Sequence, residues 1–250
     1  VEAMKKLILG FAFLLVAIPC GARIITVDDD GPADFKIIQA AIDDSNNGDT
    51  IVVYPGTYYE TFNFDINPFK FKGKNIVLTS TDPNDPAVVE HTVIEGGYYS
   101  VISIVDANVT IDGFTIQNGS GYRNGGICCT SSKGTAFTVK ISNNIIQNNT
   151  VEWVCGAGIY CDSYVKPVIV GNIIQNNRIE GWGIYTAGGA GIYCASLDCE
   201  VSGNVVVDNQ INSWYGQGYF DYADGGGIWV GGGLISDNTV SRNSVGAWAH

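Results

Sequence analysis

Four carboxylates, Glu152, Glu180, Asp221 and Asp224, are interleaved with Trp153, Trp182, Tyr185, Trp214, Tyr215, Tyr219, Phe220 and Tyr222. Flat rings of this kind suit the apolar faces of sugars. Carboxylates suit sugar hydroxyls or Ca²⁺, and a suitably spaced pair is the acid/base machinery of glycoside cleavage. Arg178 lies two residues before Glu180 and supplies a cation to the same stretch. Other chemistries lack material. The two histidines are His91, in a Pro/Asp/Asn-rich stretch that reads as a surface loop, and the terminal His250. A Ser-His-Asp or Cys-His nucleophile therefore has almost nothing to build on. Gly225–Gly227 and Gly231–Gly233 lack the lysine and helix start of a phosphate loop and read as turns.

The elements that must position these residues are set by a repeat. Asn144-Ile-Ile-Gln-Asn-Asn149 recurs at Asn172–Asn177, more loosely at Asn204–Asn209 and Asn238–Asn243, and has an earlier relative at Gly113–Gly119. A second motif follows each copy, at Gly126–Cys129, Gly158–Cys161, Gly191–Cys194 and Gly227–Val230. The first motif returns after 28 to 34 residues, so fixed short strands are joined by loops of variable length. Val139, Ile141, Ile145, Val168, Val170, Ile174, Val201, Val205 and Val207 alternate with polar residues as half-buried strands do. Parallel strands stacked coil on coil, as an all-β right-handed parallel β-helix, satisfy this pattern. A leucine-rich repeat lacks its leucines, and a propeller blade needs a longer unit. No helical 3.6-residue stripe is present after residue 45. Before it, Asp34–Asp43 carries apolar residues at 35, 38, 41 and 42 and predicts a short amphipathic helix capping the first coil.

Stacking puts equivalent residues in files about 4.8 Å apart. Asn149, Asn177, Asn209 and Asn243 should stack at a turn and bond one another. Cys129, Cys161 and Cys194 should run inward with Ile127, Ile159, Ile192 and Ile228, buried and unbridged. A linear file does not converge as a tetrahedral zinc site must, so no metal site is expected. Cys128, Cys155 and Cys199 fall off the file. Alternation turns Tyr160, Tyr193 and Trp229 outward as an aromatic ladder. The loops at 150–157, 178–190 and 210–226 leave the coils at one place and should emerge beside it, carrying the aromatic and acidic residues named above.

Composition narrows the classes of function. Charged residues make up 15% of the chain and hydrophobic ones 46%, which excludes charge-driven disorder. The net charge of −12 argues against nucleic acid or an anionic membrane as partner. Lys5 and Lys6, the apolar run Leu7–Ile18 and the small residues Gly21 and Ala22 have the layout of a secretory signal peptide over residues 1–22. Pro19 makes Cys20 a poor lipid-anchor site, and the run is too short to span a bilayer. Residues 23–250 are then one β-helix domain of an extracellular, periplasmic or cell-surface protein. The repeat breaks off within a coil at Ser241–His250 with no cap, so a C-terminal truncation is expected.

The run Phe35–Ile42, then Gly48-Asp-Thr-Ile-Val-Val-Tyr-Pro-Gly-Thr-Tyr-Tyr-Glu60, then Lys74–Leu78 resembles the start of pectin-lyase-like β-helix proteins. Gly56, Tyr58 and Glu60 match a Gly-x-Tyr-x-Glu pattern found in pectinesterases. The later Gly-Ile-Tyr-Cys and Asn-x-Ile-x-x-Asn repeats are similar to those of secreted bacterial right-handed β-helix proteins. The resemblance spans nearly all of residues 24–250 and implies the fold. It does not select an activity, because that superfamily holds lyases, hydrolases, esterases, epimerases and proteins with no known activity. The hydrolase, pectinesterase and pectate-lyase signatures are absent. The residues point first to binding of a polysaccharide or surface glycan through Tyr160, Tyr193, Trp229, Trp182, Tyr185, Trp214, Tyr215 and Tyr219. The alternatives are a polysaccharide lyase or hydrolase using Asp221, Asp224 or Glu180 with Arg178, and a non-catalytic structural or adhesive stalk. No residue set requires a cofactor; Ca²⁺ is the ion that the carboxylates would suit.

Overall fold

The computed structural model describes residues 21–59, 69–121, 125–152, 155–181, 186–213 and 222–247. Nearly all of the expected leader, residues 1–20, lies outside them. The described chain winds as a parallel β-solenoid whose every coil contributes strands to the same faces. Sheet A has eight strands, sheet B seven and sheet C six, and each strand pairs in parallel with its equivalent in the next coil. A five-stranded sheet D and a two-stranded sheet E complete it.

Alternation decides what fills the interior. On sheet A, Ile25, Ile51, Leu78, Ile111, Ile141, Ile169 and Val201 form one buried file. Sheet B contributes Ile94, Ile116, Ile146, Ile174 and Val206, and sheet C contributes Ile102, Ile127, Ile159 and Ile192. β-branched side chains match this pleated, close-stacked interior because few rotamers have to be frozen.

Two bends per coil turn sheet A into sheet B and sheet B into sheet D. From residue 143 onward, a residue with positive φ at each bend is followed by an inward asparagine. Asn143, Gly171, Gly203 and Asp237 precede Asn144, Asn172, Asn204 and Asn238, while Asn148, Asn176, Asp208 and Arg242 precede Asn149, Asn177, Asn209 and Asn243. Glycine and asparagine enter the left-handed region at little cost. Arg242 does so at φ 54° while its guanidinium makes a two-point contact, 2.8 Å each, with the Asp208 carboxylate one coil below.

The expected asparagine file is present, and a second one runs at the other bend. Asn177 Nδ2 donates to Asn209 Oδ1 (2.9 Å) and to the Ile146 carbonyl (3.0 Å), and its Oδ1 accepts from the Asn149 backbone N–H (3.1 Å) and Nδ2 (3.0 Å). Asn144, Asn172, Asn204 and Asn238 repeat the scheme. Each side chain so replaces the strand pairing that the bend interrupts.

The capping helix α1 spans Ile38–Asp44, four residues later than expected at its start, and buries Ile38, Ala41 and Ile42. Phe35 is withheld from it by a parallel bridge to Val27. α1 packs on the first coils, and Lys74 Nζ donates to the carbonyls of Ile42, Asp43 and Ser45 at its C-terminal end. That cation also opposes the negative end of the helix dipole.

Two expectations are corrected. A second helix, α2, covers Pro86–His91, so His91 ends a helix and is not in a loop. It is too short to show a helical stripe; its signal was Asp85 as N-cap, accepting from the Ala87 N–H (2.9 Å), with Pro86 in the first turn. His91 itself is exposed. The inward cysteine file is also not free along its length, because Cys194 is disulfide-bonded to Cys199. Inward Cys194 and the core-facing Cys199 that opens the following sheet A strand, Cys199–Ser202, are only five residues apart, so the short connection between sheets C and A brings both sulfurs into the same interior layer. Cys129 and Cys161 are buried free thiols.

Candidate functional site

The connections that grow from coil to coil build an outgrowth on one flank. After the second bend the chain runs out along sheet D, through Thr150–Glu152, Arg178–Gly181 and Gln210–Ser213, and returns to sheet C. On the return, Thr186–Gly188 pairs with Tyr222–Asp224 as sheet E. The outgrowth has its own small core of Val151, Ala157, Ile179, Ala190 and Ile211. Small alanines on the returning segments let them close tightly on sheet D.

Where the return meets sheet C, the outward residues of successive strands are Cys128, Tyr160, Tyr193 and Trp229, in register. The rings stack as the alternation predicted. Tyr160 and Tyr193 have centroids 5.4 Å apart at an interplanar angle of 6°, and Tyr193 and Trp229 are 4.5 Å apart at 9°. The strand spacing dictates this geometry, since equivalent side chains one coil apart are held at stacking distance. Both faces of Tyr193 are therefore covered by its neighbours. All three rings are half-buried. The returning segment flanks them: a Cβ added at Gly188 would lie 3.3 Å from both Trp229 Cγ and Tyr193 Cδ2. Gly189 turns the chain at φ 53°, and a Cβ there would lie 1.8 Å from the Ile192 carbonyl oxygen.

The ring hydroxyls and the thiols beside them are uncharged at ordinary pH, with the Asp162 carboxylate acting on Tyr160 from the end of its strand. Burial pushes the Tyr160 hydroxyl up to about 12. Burial, and then Cys155 beside it, raises that of Tyr193. Burial likewise raises the thiols of Cys128 and Cys155, so neither is poised as a thiolate nucleophile. Cys155 lies beside the Tyr193 hydroxyl. The sequence set Cys155 aside as an off-file residue, and only the loop's return places it against the ring.

The charged candidates lie elsewhere. Glu152, Glu180 and Asn212 occupy successive rungs of sheet D, opposite in alternation to Val151, Ile179 and Ile211. They face away from the returning segments, whereas the rings lie against those segments. Arg178 and Glu180 approach only to 4.0 Å and are solvent-accessible. The structure thus brings Tyr160, Tyr193 and Trp229 together and leaves Glu180 and Arg178 away from the ring file. Asp224 ends a sheet E strand, opposite Gly188. Trp153, Trp182, Tyr185, Trp214, Tyr215, Tyr219, Phe220 and Asp221 lie outside the described residues. Among the described residues, Asp28, Asp29 and Asp30 bring carboxylate oxygens within 4.8 Å of one another, a cluster the sequence analysis did not single out. One Asp28 oxygen is already engaged by the N–H groups of Asp30 and Gly31.

Among the described residues, no helix is long and apolar enough to cross a membrane. Neither a curated protein nor a solved structure matches the chain. The model of the right-handed β-helix region matches residues 45–245, the whole run of stacked coils from the end of α1 onward. With its parallel coils, inward aliphatic files and asparagine-lined bends, the chain belongs to the right-handed β-helix family.

Proposed function

We propose that the protein binds a glycan in the groove between the outer face of sheet C and the returning loop segments, with Tyr160, Tyr193 and Trp229 as its floor. The observation that carries this reading is the ring file itself. Three aromatic residues from three coils occupy outward positions, where solenoid stability needs only polar side chains, and they stay half-buried. Because the rings cover one another, a sugar meets their outer edges and the face of Trp229 directed away from Tyr193. The neutral hydroxyls and thiols beside them favour a neutral ligand over an ionic one. The same reading places the protein outside the cytoplasm. The basic-then-apolar segment at Lys5–Ile18 and the Cys194–Cys199 disulfide, a bond characteristic of oxidising compartments, support it.

One observation favours a second reading. The mutual covering of the rings and the Cys155–Tyr193 contact would equally serve to pin the long loops to the coil, as a structural stalk requires. Replacing Trp229 by alanine separates the two. Under the binding reading, affinity for a glycan found on an array falls by up to about tenfold, the scale of a lost aromatic contact of about 0.5–1.5 kcal/mol, with little change in melting. Under the pinning reading, melting falls and affinity stays. Affinity unchanged for every glycan found on the array overturns the proposal.

A further inference from the structure

The outer face of sheet B carries a hydrogen-bonded ladder that the fold does not require. Glu95, Gln117, Gln147 and Gln175 stand on consecutive rungs. Gln175 Nε2 donates to Gln147 Oε1, Gln147 Nε2 to Gln117 Oε1, and Gln117 Nε2 to Glu95 Oε2, each at 2.8 Å. The other Glu95 oxygen accepts from Asn118 Nδ2 at 2.6 Å. The carboxylate at the end is thus committed on both sides, and every amide points the same way.

An amide nitrogen has two hydrogens and an amide oxygen two lone pairs. The ladder uses one of each on Gln147, leaving a donor and an acceptor per rung on a half-buried side chain whose rotamer is already fixed. Two positions earlier on the same strands runs an aliphatic file. α2 covers it at its beginning, where Thr115 Oγ1 donates to the Val89 carbonyl (3.0 Å). Beyond α2 the file continues as half-buried Ile145, then Ile173 and Val205, each 39% exposed. On the Ile145/Gln147 and Ile173/Gln175 rungs an apolar contact therefore stands beside a donor–acceptor pair, and the polar ladder as a whole runs about 14 Å from Glu95 to Gln175.

We propose that this face is a second contact track, separate from the ring groove, for an extended neutral glycan lying along the solenoid axis. The aliphatic file meets the C–H faces of the sugars and the amides meet their hydroxyls. Charge selects the occupant. The outward rungs from Val93 and Glu95 to Val205 and Val207 hold no lysine or arginine, and the chain carries −12 overall. A polyuronate or nucleic acid is repelled, and a neutral polyhydroxyl chain is not. Pre-fixed amides lower the entropic cost of capture.

The test is co-sedimentation of the protein with insoluble cellulose, chitin and mannan, with polygalacturonate as an anionic control. Wild type should be retained by at least one neutral polymer and not by polygalacturonate. The double variant Gln147→Leu/Gln175→Leu should bind that polymer about fivefold to tenfold more weakly, the scale of one lost hydrogen bond. Ile173→Lys, at an exposed position, should weaken it similarly while circular dichroism and melting stay those of wild type. Trp229→Ala should leave this binding intact, which separates the track from the ring groove. Retention by none of the neutral polymers, or equal binding by the folded Ile173→Lys and double variants, overturns the proposal.

Discussion

Replacing Asn177 by alanine tests how the bends are held. Asn177 is fully buried. Its Oδ1 is the acceptor shown for the Asn149 backbone N–H and for one Asn149 Nδ2 hydrogen; the other goes to the Ile116 carbonyl. The variant strands two donors in the interior. At about 1–3 kcal/mol for each unsatisfied buried group, the loss is roughly 2–6 kcal/mol. For a domain of this size each kcal/mol shifts melting by about 2–4 °C, so a fall of about 10 °C sits in mid-range. Asn243→Ala provides the control, because Asn243 Oδ1 serves Asn209 in the same way but is itself partly exposed. Water can replace it, and the expected cost is about 1 kcal/mol. Urea and thermal unfolding of both variants measure the difference. Equal and small losses would refute the reasoning, since they would mean that water or relaxed backbone satisfies the inner rung as well.

Gly189→Ala should destabilise by at least about 1–2 kcal/mol, because a Cβ at φ 53° meets the Ile192 carbonyl oxygen at 1.8 Å, whereas Asn176→Gly, at exposed φ 55°, should be close to neutral; thermal melts compare them. Asp49 accepts from Arg23 N, Nε and Nη2 and from the Asn46 N–H; although burial opposes it, these bonds hold its carboxyl below the usual range. Its stabilisation is therefore complete above about pH 4 and is lost as pH falls through the depressed folded value. Asp49→Asn should be less stable than wild type at pH 7, and the gap should narrow in denaturant melts below pH 4. Alkylation of native protein should reach half-buried Cys155 first, Cys129 and Cys161 only on unfolding, and Cys194 and Cys199 only after reduction. Peptide mapping that finds Cys194 alkylated without reductant would contradict the disulfide.

A solenoid writes its fold into its sequence, because each coil repeats the same inward positions against its neighbour. Ile146 and Ile174, Asn149 and Asn177, and Tyr160 and Tyr193 could be aligned by spacing alone, and the structure stacks each pair on adjacent rungs. The short capping helix before Gly48 was legible for the same reason: its apolar spacing is helical over two turns. What spacing cannot carry is anything decided where the repeat is broken. α2 is shorter than a helical period pattern, so only its cap residues announced it. The bond between Cys194 and Cys199 depends on a short connection turning both sulfurs into one layer, which inward and outward labels do not encode. Alternation put Tyr193 outward, but only the returning loop set Cys155 and Gly188 against it and turned Glu180 and Arg178 to the other side of sheet D. The sequence by itself determined the periodic part, since local strand chemistry and coil spacing act on every repeat alike. Tertiary structure alone decided which loop residues meet the ring file, because loops of unequal length have no common register and their side chains meet only through the return path of the chain.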